Sequence, residues 1–160
     1  MPSDSPPAVL REARADDAEP LTRLFLASRA AAMPYLARVH SDAATLAWMT
    51  HVVLPGTDVR VAETREGGDV RIAGFVSLDG SELEHLYIDP GLRRRGIGSL
   101  LLAAAKEAAC DGLTLYTFQR NTGARSFYER HGFTAVAFDD GGRNEEKEPD
   151  VRYRWAPPGR

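Results

Sequence analysis

Residues 86–102 read LYIDPGLRRRGIGSLLL, and this stretch decides the fold. Its apolar start predicts a buried strand, the Asp-Pro-Gly at 89–91 predicts a turn, and its apolar end predicts a helix. Two glycines precede the helix, where they allow a ligand to approach the backbone closely. The free N–H groups of a first helical turn bind anions, and the arginines at 93–95 strengthen the local positive field. The stretch therefore predicts a site for a pyrophosphate group.

The spacing of these glycines argues against two common phosphate-binding motifs. No Gly-Lys-Ser/Thr follows a first glycine, as a P-loop requires, and Leu101 stands where a Rossmann fingerprint has its third glycine. The pattern that is present is Arg93-x-x-Gly96-x-Gly98. It resembles the Arg/Gln-x-x-Gly-x-Gly/Ala signature of the GNAT superfamily of acyl-CoA N-acyltransferases. In that family the loop holds the pyrophosphate of coenzyme A (CoA).

A second stretch, residues 121–133 with the sequence NTGARSFYERHGF, resembles the second cofactor motif of the same family. The two signatures, in this order, imply an acetyl-CoA-dependent N-acetyltransferase that uses no metal. The acetyl group would pass to a primary amine, expected to be a small molecule, by direct attack in a ternary complex. Two alternatives stay open: a non-catalytic acyl-CoA-binding sensor module, and an acetyltransferase for protein N-termini or lysines.

The order of the predicted elements is also similar to the GNAT fold. That resemblance implies an α/β (α+β) fold, with a mixed, mostly antiparallel central sheet of about seven strands and four flanking helices. Strand, helix and strand over 82–118 should form one parallel crossover. The predicted strands cover 9–14, 59–64, 70–78, 82–88, 113–118, 133–138 and 151–155, and the predicted helices cover about 16–32, 41–54, 98–110 and 121–131.

Length and composition favour one globular domain. The chain has 160 residues, of which 43% are hydrophobic and 27% are charged, as in ordinary globular proteins. We predict a disordered tail over 1–7 and the acetyltransferase domain over 8–158. The formal net charge is −3, which argues against a nucleic-acid partner bound through bulk charge.

The sequence predicts a cytoplasmic protein without a membrane partner, either a monomer or a homodimer. No stretch approaches the ~20 apolar residues that span a bilayer, and the first residues lack the basic start and apolar core of a signal peptide. A single cysteine, Cys110, excludes an intramolecular disulfide and fits a reducing compartment. We expect Cys110 to be a small buried residue.

The resemblance implies where the cofactor lies. In the family, the strand before the loop separates from its parallel neighbour, and the pantetheine arm of CoA hydrogen-bonds to the freed backbone groups. Asn121 either contacts the cofactor or caps its helix, and Arg125 either reaches the nucleotide or faces solvent. The implied cofactor-binding residues are Leu86, Tyr87, Ile88, Arg93, Arg94, Arg95, Gly96, Ile97, Gly98, Ser99, Asn121, Arg125 and Phe127.

Acetyl transfer also needs a proton donor for the leaving thiolate. Tyr128 occupies the place in the second motif from which the family's tyrosine points at the cofactor sulfur. A phenol has a pKa near 10 and a thiol a pKa near 8.5, so proton transfer between them is inexpensive. The other interpretation of Tyr128 is a tyrosine of the core.

A base must remove the ammonium proton of the acceptor before attack. Glu82 and Glu84 lie on the strand that leads to the loop, and either is a candidate; the competing interpretation is a solvated edge carboxylate. Strict alternation places both on the face that carries Leu86 and Ile88. His85 then falls on the opposite face, unless a bulge intervenes.

The acceptor site should form between the first two helices and the final hairpin. An acidic rim at 144–150 would favour a cationic amine, whereas a solvated acidic loop is the plainer interpretation. The four histidines and the single cysteine show no metal-ligand spacing, so no metal is expected. The candidate substrate-binding residues are Tyr35, His40, Trp48 and Glu145.

Overall fold

The computed structural model describes residues 8–159, so the disordered tail predicted at 1–7 lies outside the described residues. Seven strands and four helices make up the described chain. The strands are β1 (Val9–Glu12), β2 (Asp58–Glu66), β3 (Asp69–Asp79), β4 (Glu82–Ile88), β5 (Leu113–Phe118), β6 (Thr134–Asp139) and β7 (Asp150–Trp155), and the helices are α1 (Ala18–Ala32), α2 (Asp42–Trp48), α3 (Ile97–Ala108) and α4 (Thr122–Arg130).

The strands form one sheet in the order β1-β2-β3-β4-β5-β7-β6. Every neighbouring pair is antiparallel except β4 and β5, which are parallel and joined by α3. The predicted mixed, mostly antiparallel sheet and its single crossover are therefore confirmed. The last strand, β7, lies between β5 and β6, so it pairs with both.

The parallel pair holds together at one end only. Its single bridge joins Glu82 to Thr114, whereas β4 keeps its ladder with β3 as far as Ile88. Beyond that bridge, β4 and β5 diverge toward the loop that follows β4. The edge of β4 that faces β5 is therefore open along most of its length.

Each face of the sheet carries its own apolar core. On one face α3 and α4 pack through Leu101 and Tyr128 against β5 and β7. On the other face α1 packs through Phe25, and the turn that follows α2 packs through Met49, against Phe75 of β3. Burial of one stripe on each helix is what an amphipathic sequence requires.

A bulge in β4 changes which side chains share a face. Ser77 lies opposite His85 and Leu78 lies opposite Leu83, so Glu84 is an extra residue in the strand. The predicted common face for Glu82, Glu84, Leu86 and Ile88 is therefore wrong, because a bulge inverts the alternation that follows it. The side chains that pack with the α3 core are Leu83, Leu86 and Ile88, whereas Tyr87 packs with the α1 core.

Two smaller expectations are also wrong. The second helix does not end before Pro55, because α2 continues through a π-helical turn (Met49–Val53) into a last turn (Leu54–Gly56) in which Pro55 stands among the first residues. Cys110 is exposed and not buried, because it lies in the turn after α3 and not on its packed stripe. No helix of the described chain has the length and apolar character needed to cross a bilayer.

Candidate active site

The loop after β4 presents backbone N–H groups at the start of α3. Gly96 caps the helix with φ of 79°, a left-handed conformation that glycine adopts without steric cost. The first intrahelical bond runs from the N–H of Leu100 to Gly96, so the N–H groups of Ile97, Gly98 and Ser99 precede it. A turn held by Asp89, which accepts from Gly91 N at 2.8 Å, leads into the loop. These N–H groups at the start of α3 can bind an anion.

The three arginines of the loop differ in their contacts. All are exposed, and Arg95 forms an ion pair of 2.5 Å with Glu66 in the β2–β3 hairpin. Arg93 and Arg94 have no ion-pair partner within residues 8–159. Two guanidinium groups thus remain available to a phosphate, and the third anchors the loop.

Helix α4 packs directly on this loop. A Cβ at Gly98 would lie 3.3 Å from Cζ of Phe127, so the absence of a side chain lets this ring pack closely on the start of α3. The His131 Nδ1 lies 2.7 Å from the Phe127 carbonyl oxygen, and its Nε2 lies 3.0 Å from Ser99 Oγ. Because Nδ1 faces an acceptor, it carries the proton of the neutral ring. Nε2 then accepts a hydrogen bond from the Ser99 hydroxyl. The sequence did not indicate this link between the two motifs.

A narrow cavity of about 100 Å³ opens where β4 and β5 diverge. It brings together residues from the strand, from the second motif and from the end of α1. This gap cavity is lined by Met33, Leu83, Glu84, His85, Leu86, Tyr87, Tyr116, Thr117, Phe118, Asn121, Ala124 and Tyr128.

Of the thirteen residues predicted at the cofactor, three line the gap cavity (Leu86, Tyr87 and Asn121), seven lie at 93–99 in the loop and the start of α3, and the other three lie elsewhere outside the cavity. Ile88 belongs to the α3 core, and Phe127 covers Gly98. The Arg125 Nε donates to Tyr153 Oη at 3.0 Å, and its guanidinium lies 5.5 Å from the centroid of the Phe138 ring. Asn121 lines the cavity and also caps α4, since its Oδ1 accepts from Ala124 N at 3.2 Å.

Tyr128 is buried at the base of the gap cavity. Its ring packs against Phe127, Phe133 and Tyr153, and its hydroxyl has no hydrogen-bond partner within residues 8–159. Burial raises the pKa of the phenol well above its usual value. The hydroxyl is therefore protonated and free to donate into the cavity.

The two candidate glutamates have different surroundings. Glu84 lines the gap cavity, and burial, followed by the charges of Glu82 and Asp79, raises its pKa. Glu82 does not line the gap cavity; it accepts the Thr114 hydroxyl and lies 3.7 Å from Arg152. The structure therefore brings only Glu84 to the cavity.

A larger cavity of about 1020 Å³ lies on the other face of the sheet, among α1, the 33–41 linker, α2 and the 139–149 loop. Its wall is mainly apolar, and it includes three of the predicted acceptor residues, His40, Trp48 and Glu145. The fourth, Tyr35, is not part of the wall but stacks under the Arg120 guanidinium at 3.8 Å. We call this space the acceptor cavity.

Ion pairs tie the 139–149 loop to the helices across the acceptor cavity. Glu146 lies 3.1 Å from Arg29 on α1, and Glu145 lies 2.9 Å from His40 in the linker. The sequence indicated an acidic rim, but not that these carboxylates have basic partners inside the chain.

His85, like Met33, lies where the two cavities meet. It lines both, and its ring packs edge-on against Trp48 at 5.1 Å and against Phe25 at 6.2 Å. Burial, followed by the charge of Arg29, lowers its pKa to about 4, so the ring is neutral at pH 7. His85 lies on the face opposite Leu86 and Ile88, as the alternation of β4 predicted, and the bulge at Glu84 changes instead the face of Leu83, which packs with those two residues.

Comparison with known proteins agrees with this arrangement. The family model described as "Acetyltransferase (GNAT) domain" matches residues 55–135. The peptidyl-lysine N-acetyltransferase YjaB of Salmonella typhimurium (strain LT2) is 32% identical over 78% of this chain and 81% of its own. The chain belongs to the GNAT acetyltransferases. The predicted family is thereby confirmed, together with acetyl-CoA-dependent acetyltransferase activity.

Solved GNAT structures show the same fold. The apo form of YjaB from Escherichia coli superposes with a TM-score of 0.74 at 24% identity and covers 92% of this chain and 96% of its own. YncA of Salmonella typhimurium, solved with acetyl-CoA, gives a TM-score of 0.67 at 19% identity, with 93% of each chain covered. The fold of this GNAT enzyme is therefore one that holds acetyl-CoA in another member.

The residues of this enzyme fit acetyl-CoA. The loop offers three N–H groups and two unpaired guanidinium groups to a pyrophosphate, and the open edge of β4 offers backbone groups to an amide-bearing arm. Within residues 8–159, no group of three or more His, Cys, Asp or Glu side chains is arranged to hold a metal ion.

Proposed function

We propose that this GNAT enzyme acetylates the primary amine of a small molecule bound in the acceptor cavity, by direct attack on acetyl-CoA held in the gap cavity. The observation that carries the proposal is the junction of the two cavities at His85 and Met33. An amine on one face of the sheet and a thioester in the gap would meet there. Cys110 lines neither cavity, which favours a ternary complex over an acyl-enzyme.

The cofactor would lie along the second half of β4. Arg93, Arg94 and the N–H groups of residues 97–99 would hold the pyrophosphate, and the open edge at 86–88 would bind the pantetheine arm as an added strand. When bound, acetyl-CoA supplies an activated acyl group and a thiol leaving group. A backbone N–H of this edge would polarise the thioester carbonyl.

Tyr128 would protonate the leaving thiolate. Its hydroxyl has no other partner within residues 8–159, and its ring is held by three aromatic neighbours. Since a thiol is a better leaving group than a thiolate, this donor would lower the barrier to breaking the C–S bond.

Glu84 would accept the ammonium proton, directly or through a water molecule. It is the candidate carboxylate that lines the gap cavity, and its raised pKa makes it a stronger base than an ordinary glutamate. Glu82, which is bound to Thr114, would raise the basicity of Glu84 through its charge and would not contact the amine.

A second candidate acceptor is a lysine side chain of a protein. The relative YjaB, which is 32% identical, is named a peptidyl-lysine N-acetyltransferase. The ion pairs that bridge the acceptor cavity favour a small molecule instead, because a polypeptide would have to pass the 139–149 loop.

The experiment is thiol release from acetyl-CoA with two matched sets of acceptors: free primary amines, and peptides that carry one lysine and a blocked N-terminus. Mass spectrometry of the products locates the acetyl group. The proposal expects turnover with free amines and little with peptides. Turnover confined to peptides would favour the second candidate, and tight CoA binding without thiol release from either set would identify a sensor module.

A further inference from the structure

One charged pair in the acceptor cavity is much less exposed than the others. The Arg29 and Glu146 side chains are 25% and 15% exposed and lie 3.1 Å apart. At the rim of the same cavity, Arg38 pairs with Asp42 and is 56% exposed. The pair of Arg29 and Glu146 is therefore built into the inner part of the cavity, where solvent screens charges least.

Arg29 lies close to the junction of the two cavities. Its guanidinium carbon is 5.3 Å from the centroid of the Phe25 ring, and that ring lies 4.9 Å from Tyr87 and 6.2 Å from His85. Both of those residues line the gap cavity as well. A group bound to Arg29 would thus lie beside the acetyl group.

The guanidinium of Arg29 has unused donors. Within residues 8–159 its one hydrogen bond runs from Nη2 to Glu146 Oε1, and none of its other nitrogens is buried without a hydrogen-bond partner. A guanidinium carries five N–H donors in a planar fork that matches a carboxylate. Arg29 can therefore bind an anionic group of the acceptor from the cavity side.

The remaining wall indicates what else the acceptor carries. It is apolar over most of its area and includes two large aromatic rings, those of Phe25 and Trp48, so it favours a bulky apolar group. Apolar residues of the wall are Leu26, Ala30, Leu36, Ala37, Val39 and Trp48.

We propose that the acceptor is an α-amino acid with a large apolar side chain. Arg29 binds its carboxylate, Glu146 first holds its ammonium, and the apolar wall covers its side chain. A net-neutral zwitterion then replaces one internal ion pair by two, so no charge is left unpaired. This inference rests on the proposed transfer to a small amine.

The reaction balances on these groups. The ammonium loses one proton to the base, the neutral nitrogen attacks the thioester carbonyl, and the C–S bond breaks as the thiolate takes a proton from Tyr128. The nitrogen then gives up its second proton, which restores the Tyr128 hydroxyl, so the net products are the amide, the thiol and one proton on the base. The product is an N-acetyl amino acid, which has no ammonium. Glu146 then loses its ligand partner and pairs with Arg29 again, which favours product release.

The test compares kcat/KM for L-leucine, L-leucinamide and 3-methylbutylamine. The amide has the less basic amine and would react faster if only the free base mattered. We expect L-leucine to be preferred by about tenfold or more, because the charged pair with Arg29 forms only with the acid. Calorimetric binding of L-leucine to the enzyme with CoA gives a second readout that needs no turnover.

Arg29→Gln should lower kcat/KM for L-leucine by about 10²-fold and leave that for the other two amines within about threefold. Arg38→Gln is the matched control, since it removes an arginine from the exposed rim, and it should preserve the preference. If Arg29 only held the 139–149 loop in place, Arg29→Gln would lower kcat/KM for all three acceptors alike.

Equal rates with the three acceptors, or an equal loss in Arg29→Gln, would overturn the proposal while leaving transfer to small amines in place. If no free amine supported thiol release from acetyl-CoA, the proposed function itself would be refuted.

Discussion

The cofactor side and the acceptor side of this enzyme are built in different ways. The cofactor side consists of backbone: N–H groups at the start of α3 and the open edge of β4, supplied by the continuous stretch 86–99. The acceptor side consists of side chains from α1, the 33–41 linker, α2 and the 139–149 loop. Its Arg29–Glu146 pair joins residues 117 positions apart.

This difference has a physical consequence. A backbone site depends on chain conformation, so a substitution there should act on cofactor binding whatever the acceptor is. A side-chain site depends on packing among distant segments, so a substitution there should act on the acceptor and leave the cofactor alone. Tyr128 and Glu84 lie in the gap cavity between the two sides and should affect chemistry more than either binding step.

The largest expected effect is that of Tyr128→Phe. The variant keeps the ring packing and removes the hydroxyl, so kcat should fall between about 10²-fold and 10⁴-fold. Calorimetry should show unchanged CoA affinity. Tyr116→Phe is the matched control, because Tyr116 lines the same cavity but is half-exposed on β5, and it should keep its activity. Full activity of Tyr128→Phe would return Tyr128 to the core.

Glu84→Gln should lower the rate at neutral pH by about 10²-fold. A base acts in its deprotonated form, so the wild-type rate should rise with pH through the pKa of Glu84. Burial raises that pKa, so the rise in rate should occur at a higher pH than an ordinary carboxyl group would give. Glu84→Gln should not show this rise, and its rate should recover at high pH, where the amine loses its proton to solvent.

Glu82→Gln is the control for that profile. This variant should still show the rise in rate, but at lower pH, because the charge of Glu82 contributes to the raised pKa of Glu84. If both glutamine variants kept the wild-type profile, neither glutamate would be the base.

Gly96→Val should weaken CoA binding by about tenfold to 10²-fold, since a β-branched residue is strained at a positive φ. The acceptor KM should not change. Gly80→Val carries similar strain, with φ of 60°, in a turn at the far end of β4 with open space around it. If both variants melt at the same temperature but only Gly96→Val loses CoA affinity, that loss reflects binding and not stability.

The smallest effect is expected at the rim of the acceptor cavity. Glu145→Gln removes a half-exposed pair with His40, and such pairs contribute little, so the acceptor KM should rise by about twofold. Arg143→Gln breaks an exposed pair with Asp139 on the same loop, outside the cavity wall, and should change nothing. An altered CoA affinity in Glu145→Gln would show that the two sides are coupled.

The sequence predicted the strands and the glycine loop of the cofactor side more closely than the tertiary contacts of the acceptor side, for the same physical reason. Local signals define residues 82–88 and 113–118, whose predicted bounds agree with β4 and β5, and they define the glycine loop. Alternation could not show the bulge at Glu84, because a bulge depends on the partner strand. Its consequence, that Leu83 shares a face with Leu86 and Ile88, therefore appears only in the folded chain.

The acceptor side illustrates the same limit. His40, Trp48 and Glu145 were predicted from their place after α1, in α2 and in the final loop. Arg29 was not, since on a helix surface one arginine resembles any other until its tertiary partner is known. The roles of the individual site residues stay predictions.

The most direct test of the central claim is a crystal structure of the enzyme with acetyl-CoA. The pantetheine arm should lie between β4 and β5, the pyrophosphate should accept from the N–H groups of residues 97–99, and the sulfur should lie within hydrogen-bond reach of Tyr128 Oη. The acetyl carbon should face the acceptor cavity beside His85. An acetyl-CoA molecule bound elsewhere, with β4 and β5 closed on each other, would contradict the claim that the two cavities form one active site.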